Sequence, residues 1–192
     1  MKYFIVIVCL FCLSCSPIIK TMYGVNKNIK FKNANDYTYY LSKNYHFNIE
    51  NLYYAQNETS YKELATDIIN KHTDFFYGIF LNDTTQIKKS DFLIENESCR
   101  SRILKEINSM HKNNTPLNTQ NNTLFKKNSF KNIVTDKPIN LSANNRKKVV
   151  LVFSYKLGTL KENDFKEIEK LLFKNEYDLY IISLDRVHDF KK

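Results

Sequence analysis

The pattern of apolar residues along the chain predicts five β-strands. Residues 75–81 and 149–155 are almost continuously apolar, which is typical of strands that are buried on both faces of a sheet. Another strand is predicted at 177–184, a short strand at 49–54, and a strand that returns beside 75–81 at 86–94. Because helical patterns lie between most of these strands, the chain is predicted to fold as an α/β domain.

Four segments repeat apolar residues every three or four positions and are predicted as amphipathic helices. They begin near residues 33, 60, 98 and 159, and the second and fourth open with a capping-box pattern, Ser60-x-x-Glu63 and Thr159-x-x-Glu162. Their predicted apolar faces are Tyr37, Tyr40, Leu41 and Tyr45; Leu64, Ile68 and Ile69; Ile103, Leu104, Ile107 and Met110; and Phe165, Ile168, Leu171 and Leu172.

The last helix lies between the strands at 149–155 and 177–184, so the chain closes with a βαβ unit whose two strands pair in parallel. Residues 111–148, rich in Asn, Thr and Lys, are predicted to be the least regular part of the chain. Scattered apolar side chains are expected to pin part of that stretch to the core: Leu124, Phe125, Phe130, Ile133 and Val134.

The first fifteen residues have the pattern of an export signal. Met1-Lys2 is positively charged, and residues 3–13 form an apolar run of eleven residues. A membrane-spanning helix needs about 20 apolar residues, whereas this length suits the apolar region of a signal peptide. Leu13-Ser14-Cys15 then resembles the lipobox of bacterial lipoproteins, although Cys12 stands three positions before Cys15, where that family usually has Leu.

The lipobox resemblance implies that diacylglycerol is attached to Cys15, that the chain is cleaved after Ser14, and that the new amino terminus receives an N-acyl chain such as palmitate. Several acyl chains would anchor the protein stably to a membrane. Cys9 and Cys12 would leave with the signal, so the Cys12-x-x-Cys15 spacing does not indicate a zinc or disulfide site. The alternative is an ordinary signal peptide, cleaved near Ser14 or Ser16, followed by a soluble secreted protein.

The predicted organisation is a signal peptide at 1–14, a lipidated tether at 15–32 and a single domain at 33–192. Removal of residues 1–14 takes away one lysine and lowers the net charge from +9 to +8. The basic residues are spread over several short pairs and triplets, and no aromatic-rich module recurs around them, so nucleic acid is not predicted as a partner. For a secreted protein, the positive charge would favour binding to anionic surfaces.

The closing βαβ unit resembles thioredoxin. Phe153-Ser-Tyr155 runs through Lys156 into Leu157-Gly158-Thr159-Leu160, where that family has Phe-Trp-Ala followed by Cys-Gly-Pro-Cys, and Ile181-Ile-Ser-Leu-Asp185 ends the unit. The resemblance implies a thioredoxin-like mixed sheet flanked by helices, completed by strands from the amino-terminal side, with 75–81 first. Leu157 and Leu160 replace both redox cysteines, so dithiol exchange is excluded at this place. The family also has a cis-proline on a later strand, whereas no proline follows Pro138 here.

The layout also resembles short Bacteroidota lipoproteins that have no assigned activity. The resemblance is carried by Tyr23-Gly24-Val25-Asn26-Lys27 soon after Cys15, by the lone mid-chain Cys99 at a predicted helix start, and by the closing βαβ unit. It implies a lipoprotein with a degenerate thioredoxin-like domain, and it implies no activity. Residues 16–20 lack the acidic run associated with surface export in these proteins, which favours the periplasmic side of the envelope.

Cys99 is the one candidate catalytic residue. The start of a helix, together with Arg100 and Arg102, would lower the pKa of the Cys99 thiol, as in redox or peroxidatic enzymes. The alternative is a small buried side chain that packs against Ile103. Neither a metal-ligand spacing nor a Gly-rich phosphate loop is found, so no cofactor or metal is predicted beyond the lipid on Cys15.

The sequence favours an extracytoplasmic lipoprotein, anchored to the membrane by its lipid, that binds a partner or has a structural role in the cell envelope and is not an enzyme. The two alternatives are a thiol-dependent enzyme that uses Cys99 and a soluble secreted protein that binds anionic surfaces. For the favoured function, residues 157–160 and the neighbouring Tyr155 are predicted to offer an apolar contact surface to an envelope protein.

Overall fold

Helices cover both faces of a seven-stranded mixed sheet in the computed structural model of this chain. The structure describes residues 28–45, 48–70, 76–87, 119–125, 129–156, 162–174 and 176–189. This architecture confirms the predicted α/β fold with a mixed sheet flanked by helices.

Three α-helices lie within the described ranges: α1 (Ala34–Tyr45), α2 (Glu58–Asn70) and α3 (Glu162–Lys174). The strands are β1 (Leu52–Ala55), β2 (Phe76–Phe80), β3 (Thr85–Ile87), β4 (Thr119–Asn121), β5 (Phe130–Asn132), β6 (Lys148–Phe153) and β7 (Asp178–Ser183). Single turns of 3-10 helix precede β1 and follow β7, at Ile49–Asn51 and Val187–Asp189. No helix in the described ranges is both long and apolar enough to span a membrane.

The strands are ordered β4-β3-β2-β6-β7-β1-β5 across the sheet. β6, β7 and β1 are parallel, with Val150 opposite Tyr180 and Leu52 opposite Ile181. β2 and β5 flank this parallel centre in the antiparallel sense, and β3 and β4 extend the sheet beyond β2. The predicted βαβ unit is therefore confirmed as β6-α3-β7, and the predicted strand at 75–81 lies next to it as β2.

Apolar side chains fill both faces of the sheet, and every residue of β2 and of β6 is buried. On one face, α1 and α3 pack against the side chains of β6 and β7 that point toward them; this layer includes Tyr37, Leu41, Phe165, Ile168, Leu151, Phe153 and Ile181. On the other face, Leu64 of α2 packs with Phe125, Phe130, Val150, Val152 and Ile182. The continuous apolar runs in the sequence follow from this burial on both faces.

The start of α2 differs from the prediction. The side-chain oxygen of Asn57 accepts a hydrogen bond from the backbone N–H of Ser60, at 2.9 Å, so Asn57 caps the helix and the helix begins at Glu58. Ser60 is inside the helix and donates its hydroxyl to Asn57. Leu64 is buried as predicted, but Ile69 is 69% exposed, so its assignment to the apolar face was wrong.

Residues 111–148 contain more order than their composition predicts, since β4 and β5 belong to this stretch. Phe125 and Phe130 are fully buried and do pin it to the core, whereas Val134 is exposed.

Lys148 is the first residue of β6 and is buried, with its ammonium donating to the backbone carbonyls of Leu81 and Asn144. Because Lys148 is buried, it is not part of a basic surface tract, and the same burial lowers its pKa.

Candidate functional site

Most of the site residues predicted from the sequence lie outside the described ranges. These are Cys15, Cys99, Leu157, Gly158, Thr159 and Leu160, whose predicted roles therefore stay predictions. Tyr155 lies inside the described ranges and is only 6% exposed. Its hydroxyl donates to the carbonyl of Ile29 at 3.3 Å, and its own carbonyl accepts from Tyr45. The ring of Tyr155 therefore packs inward and adds little to an apolar contact surface.

The carboxyl ends of the three parallel strands meet at one edge of the sheet. β1 ends at Ala55, β6 at Phe153 and β7 at Ser183, and the segments 154–156 and 184–189 follow β6 and β7 there. Ligands of open α/β sheets bind at this edge, because the loops that leave parallel strands converge on it. The polar groups of these two segments are therefore the first candidates for a functional site.

A buried carboxylate, Asp185, organises this edge. Its Oδ1 accepts a hydrogen bond from the Ser154 hydroxyl at 2.6 Å, and its Oδ2 accepts from the Tyr37 hydroxyl at 2.7 Å and from the Tyr155 N–H at 3.0 Å. The Tyr37 hydroxyl also lies 2.8 Å from the Ser183 hydroxyl, which accepts from the Asp185 N–H. This Asp185 network joins α1 to the ends of β6 and β7, elements that are far apart in the sequence.

Burial determines the electrostatics of the Asp185 network. It raises the pKa of Asp185, and the hydrogen bonds from Ser154 and Tyr37 act against that rise. Burial, together with the negative charge of Asp185, raises the pKa of Tyr37 well above its ordinary range, so Tyr37 remains a hydrogen-bond donor. Both carboxylate oxygens are engaged by donors of the chain itself, so the geometry is that of a structural brace.

A cleft of about 550 Å³ lies against the Asp185 network at the same edge of the sheet. Three cationic side chains line it: Lys30 from the segment before α1, Lys156 after β6, and Arg186 after β7. Asp189 also lines the cleft, and Phe31, Tyr61 and Leu184 supply apolar surface. Phe31 packs edge-on against Tyr37 and Tyr155, with ring centroids 5.0 and 5.2 Å apart, so contact with the domain begins within the predicted tether.

Arg186 is held in position at the rim of this cleft. Its Nη2 lies 3.1 Å from Oε1 of Glu58, in the first turn of α2, and its guanidinium carbon lies 5.2 Å from the centroid of the Tyr61 ring. An arginine that stacks on an aromatic ring loses little freedom when it binds, because its planar group is already oriented. The cleft therefore has one oriented cationic donor and two exposed lysines.

Two smaller cavities have a different chemistry. One, of about 360 Å³, is lined by carboxylates and amides, among them Asp67, Gln120 and Asn122. The other, of about 370 Å³, lies near the start of β7 and is lined by Arg146, Tyr180 and several apolar side chains. No group of three or more His, Cys, Asp or Glu that could hold a metal occurs among the residues that the structure describes.

The sequence contained one signal for this site. Ser154 and Asp185 each come directly or almost directly after a buried parallel strand, and polar residues in that position often mark the functional edge of an α/β sheet. Lys30, assigned to the tether, had no such signal, because only packing brings it to the cleft.

No protein-family model, curated protein or solved structure matches this chain.

Proposed function

We propose that this protein is a lipid-anchored component of the bacterial cell envelope, on its periplasmic side, whose folded domain binds a ligand and does not catalyse a reaction. The observation that carries the binding role is the cleft at the carboxyl edge of β6, β7 and β1, lined by Lys30, Lys156 and Arg186. The membrane address is supported by the apolar run at 3–13 and by Leu13-Ser14-Cys15.

Binding is favoured over catalysis because the reactive groups at the cleft are already engaged. A general base has to reach a proton of the substrate, whereas both oxygens of Asp185 accept hydrogen bonds from within the domain. The Ser154 hydroxyl donates to Asp185 and accepts from the N–H of Lys156, so it too is part of the brace. The cationic side chains around the Asp185 network are exposed and available to a ligand.

The domain is proposed to be thioredoxin-like and redox-inactive. Two features support this proposal: the parallel β6-α3-β7 unit that ends at Asp185, and the amino-terminal strand β2 on the other side of β6. The residues at the positions of the redox cysteines, Leu157 and Leu160, have no thiol.

The membrane address is tested by the mass of the amino-terminal peptide after expression of the full chain in a bacterial host. We expect a peptide that begins at Cys15 and carries diacylglycerol and an N-acyl chain, with the protein in the membrane fraction. Cys15→Ser should abolish the modification. Cys12→Ser is the matched control: it also removes a cysteine, but one that leaves with the signal, so lipidation should persist. An unmodified wild-type peptide that begins elsewhere would contradict the lipoprotein proposal.

A further inference from the structure

We propose that the cleft binds the phosphate group of a small phosphate monoester, with Lys30, Lys156 and Arg186 as its ligands. This inference rests on the proposed binding role of the same cleft and names the chemistry of the ligand. It is drawn from the charge, orientation and size of the cleft lining.

Three separate segments bring positive charge to the cleft, and its lining has three cations, Lys30, Lys156 and Arg186, against two carboxylates, Asp185 and Asp189. Lys156 interacts electrostatically with Asp185. Among the described residues, Lys30 and Lys156 form no ion pair, and both are exposed. The carboxylate of Asp185 is 7% exposed and is covered by its three donors, which leaves Asp189 as the exposed anion of the lining. The excess of cations over anions on this concave surface favours a bound anion.

Arg186 can donate hydrogen bonds to a ligand in a fixed direction. Its Nη2 donates to Glu58, and no described residue accepts a hydrogen bond from its Nε or Nη1. A guanidinium that is oriented by a carboxylate on one side and by the Tyr61 ring below it presents its remaining N–H groups in a fixed plane. Glu58 offsets part of the Arg186 charge, so Lys30 and Lys156 provide most of the net attraction. Two lysines and an oriented arginine supply three donor groups, which match the three terminal oxygens of a phosphate monoester better than the two oxygens of a carboxylate.

The size and the apolar wall indicate an ester and not free phosphate. A cleft of about 550 Å³ is within the range of small-molecule sites and is larger than a phosphate ion requires. Phe31, Tyr61 and Leu184 lie beside the cations and offer apolar contact to the organic part of a ligand. The amide-lined cavity lacks this combination, because its charged lining residues, Glu63 and Asp67, are both acidic.

The test is isothermal titration of the full chain in a neutral maltoside detergent, with phenyl phosphate as the soluble probe. We expect one binding site per chain and an affinity that falls as salt is added, because the exposed charges are screened. Lys156→Gln and Arg186→Gln should each weaken binding by about tenfold or more, the effect of losing a charge-assisted hydrogen bond. Lys43→Gln, which removes an exposed lysine from α1, is the charge-matched control and should leave the affinity unchanged. Arg186→Lys should also weaken binding, because it keeps the charge and loses the planar group.

A second arm identifies the source of the phosphate. Maltoside micelles that contain phosphatidic acid present the same monoester on a lipid. Binding in either arm, with the expected pattern of variants, supports the inference, and the arm that binds more tightly names the source. If wild type binds neither probe, or if Lys156→Gln and Lys43→Gln bind equally, the phosphate assignment is overturned.

Two further probes separate this inference from the proposed function. If benzoate or phenyl β-glucoside binds in a manner sensitive to Lys156→Gln while phenyl phosphate does not bind, the cleft remains a binding site and the phosphate assignment fails. If none of the probes binds, both the phosphate assignment and its support for a binding role are lost. Lipidation of Cys15 is tested separately, by the mass of the amino-terminal peptide from the same preparation.

Discussion

Replacing Tyr37 by Phe tests whether the Asp185 network braces the fold. The Tyr37 ring is completely buried, and its hydroxyl lies 2.7 Å from Oδ2 of Asp185 and 2.8 Å from the hydroxyl of Ser183. Phenylalanine keeps the ring and its packing in α1 and removes only the hydroxyl. The substitution therefore isolates the hydrogen bonds that join α1 to the end of β7.

The expected loss of stability follows from the groups that remain. A hydrogen bond to a charged group contributes about 1.5–3 kcal/mol, and one between neutral groups contributes about 1 kcal/mol. After the substitution, Oδ2 of Asp185 still accepts from the Tyr155 N–H, so the carboxylate is not left without a donor. Phenylalanine also costs less to desolvate than tyrosine, which offsets part of the loss. We expect the free energy of unfolding to fall by about 2 kcal/mol.

The assay is urea unfolding of the full chain in maltoside detergent, followed by far-ultraviolet circular dichroism at neutral pH. Tyr39→Phe is the matched control, since Tyr39 lies on the same helix with 65% of its surface exposed. The control should change the free energy of unfolding by no more than about 0.5 kcal/mol. If Tyr37→Phe stays within that same margin of wild type, the Asp185 network does not brace α1, and the reasoning is refuted.

Three other predictions concern the fold around the site. Since burial raises the pKa of Asp185 above its ordinary value of 3.8, the folded chain holds that proton more tightly than the unfolded chain does. The stabilisation due to Asp185 is therefore complete below its unfolded pKa and is lost as the pH rises through its folded pKa. Asp185→Asn should remove this contribution to the pH dependence of the free energy of unfolding, measured by urea unfolding between about pH 3 and pH 7. Asn132→Ala should lower the free energy of unfolding by about 2–4 kcal/mol, because its buried amide donates to the carbonyl of Glu50 at 2.6 Å and accepts several bonds in the next turn. Gly78→Ala should cost about 1–3 kcal/mol in the same assay, because a Cβ there would lie 2.3 Å from Nε2 of Gln86.

Each of these three predictions has its own control. The stability difference between wild type and Asp185→Asn should change with pH, and a constant difference would count against a raised pKa. Asn35→Ala, at an exposed position of α1, should be nearly neutral, and a comparable loss there would contradict the role given to Asn132. For Gly78→Ala, the control is a second substitution, Gln86→Ala, which should lower the free energy of unfolding less in the Gly78→Ala background than in wild type. If the two losses simply add, the clash between the new Cβ and Gln86 is contradicted.

Local patterns predicted β2, β6, α3 and β7 because these elements have strong signals of their own. A strand covered on both faces needs an apolar residue at nearly every position, and β6 has that composition. A helix covered on one face repeats its apolar residues about every 3.6 positions, and Phe165, Ile168 and Leu172 are buried accordingly. The spacing of apolar residues was ambiguous at Ile69 of α2, because this apolar residue lies next to the buried face of the helix and is itself exposed.

The candidate site had a weaker signal because its parts come from distant segments. Tyr37 and Asp185 are separated by 148 positions, and Glu58 and Arg186 by 128. Tyr37 was correctly predicted to be buried, yet its partner was not predicted, since a periodic pattern tells which face of a helix is covered and does not tell what covers it. For Lys148 the sequence did not predict burial, because the residue stands in a basic tract. It is buried all the same, and the backbone carbonyls of Leu81 and Asn144 accept hydrogen bonds from its ammonium.

The sequence by itself determined β2, β6, α3, β7 and the closing βαβ unit, because each depends on residues that are neighbours along the chain. The export signal at the start of the chain stays a prediction. Only the tertiary structure decided that β1 lies between β7 and β5, that Asp185 is a brace, and that Lys30, Lys156 and Arg186 share one cleft. The physical reason is that hydrophobic burial is non-directional: it selects which side chains leave water, while hydrogen bonds and close packing select which of them meet.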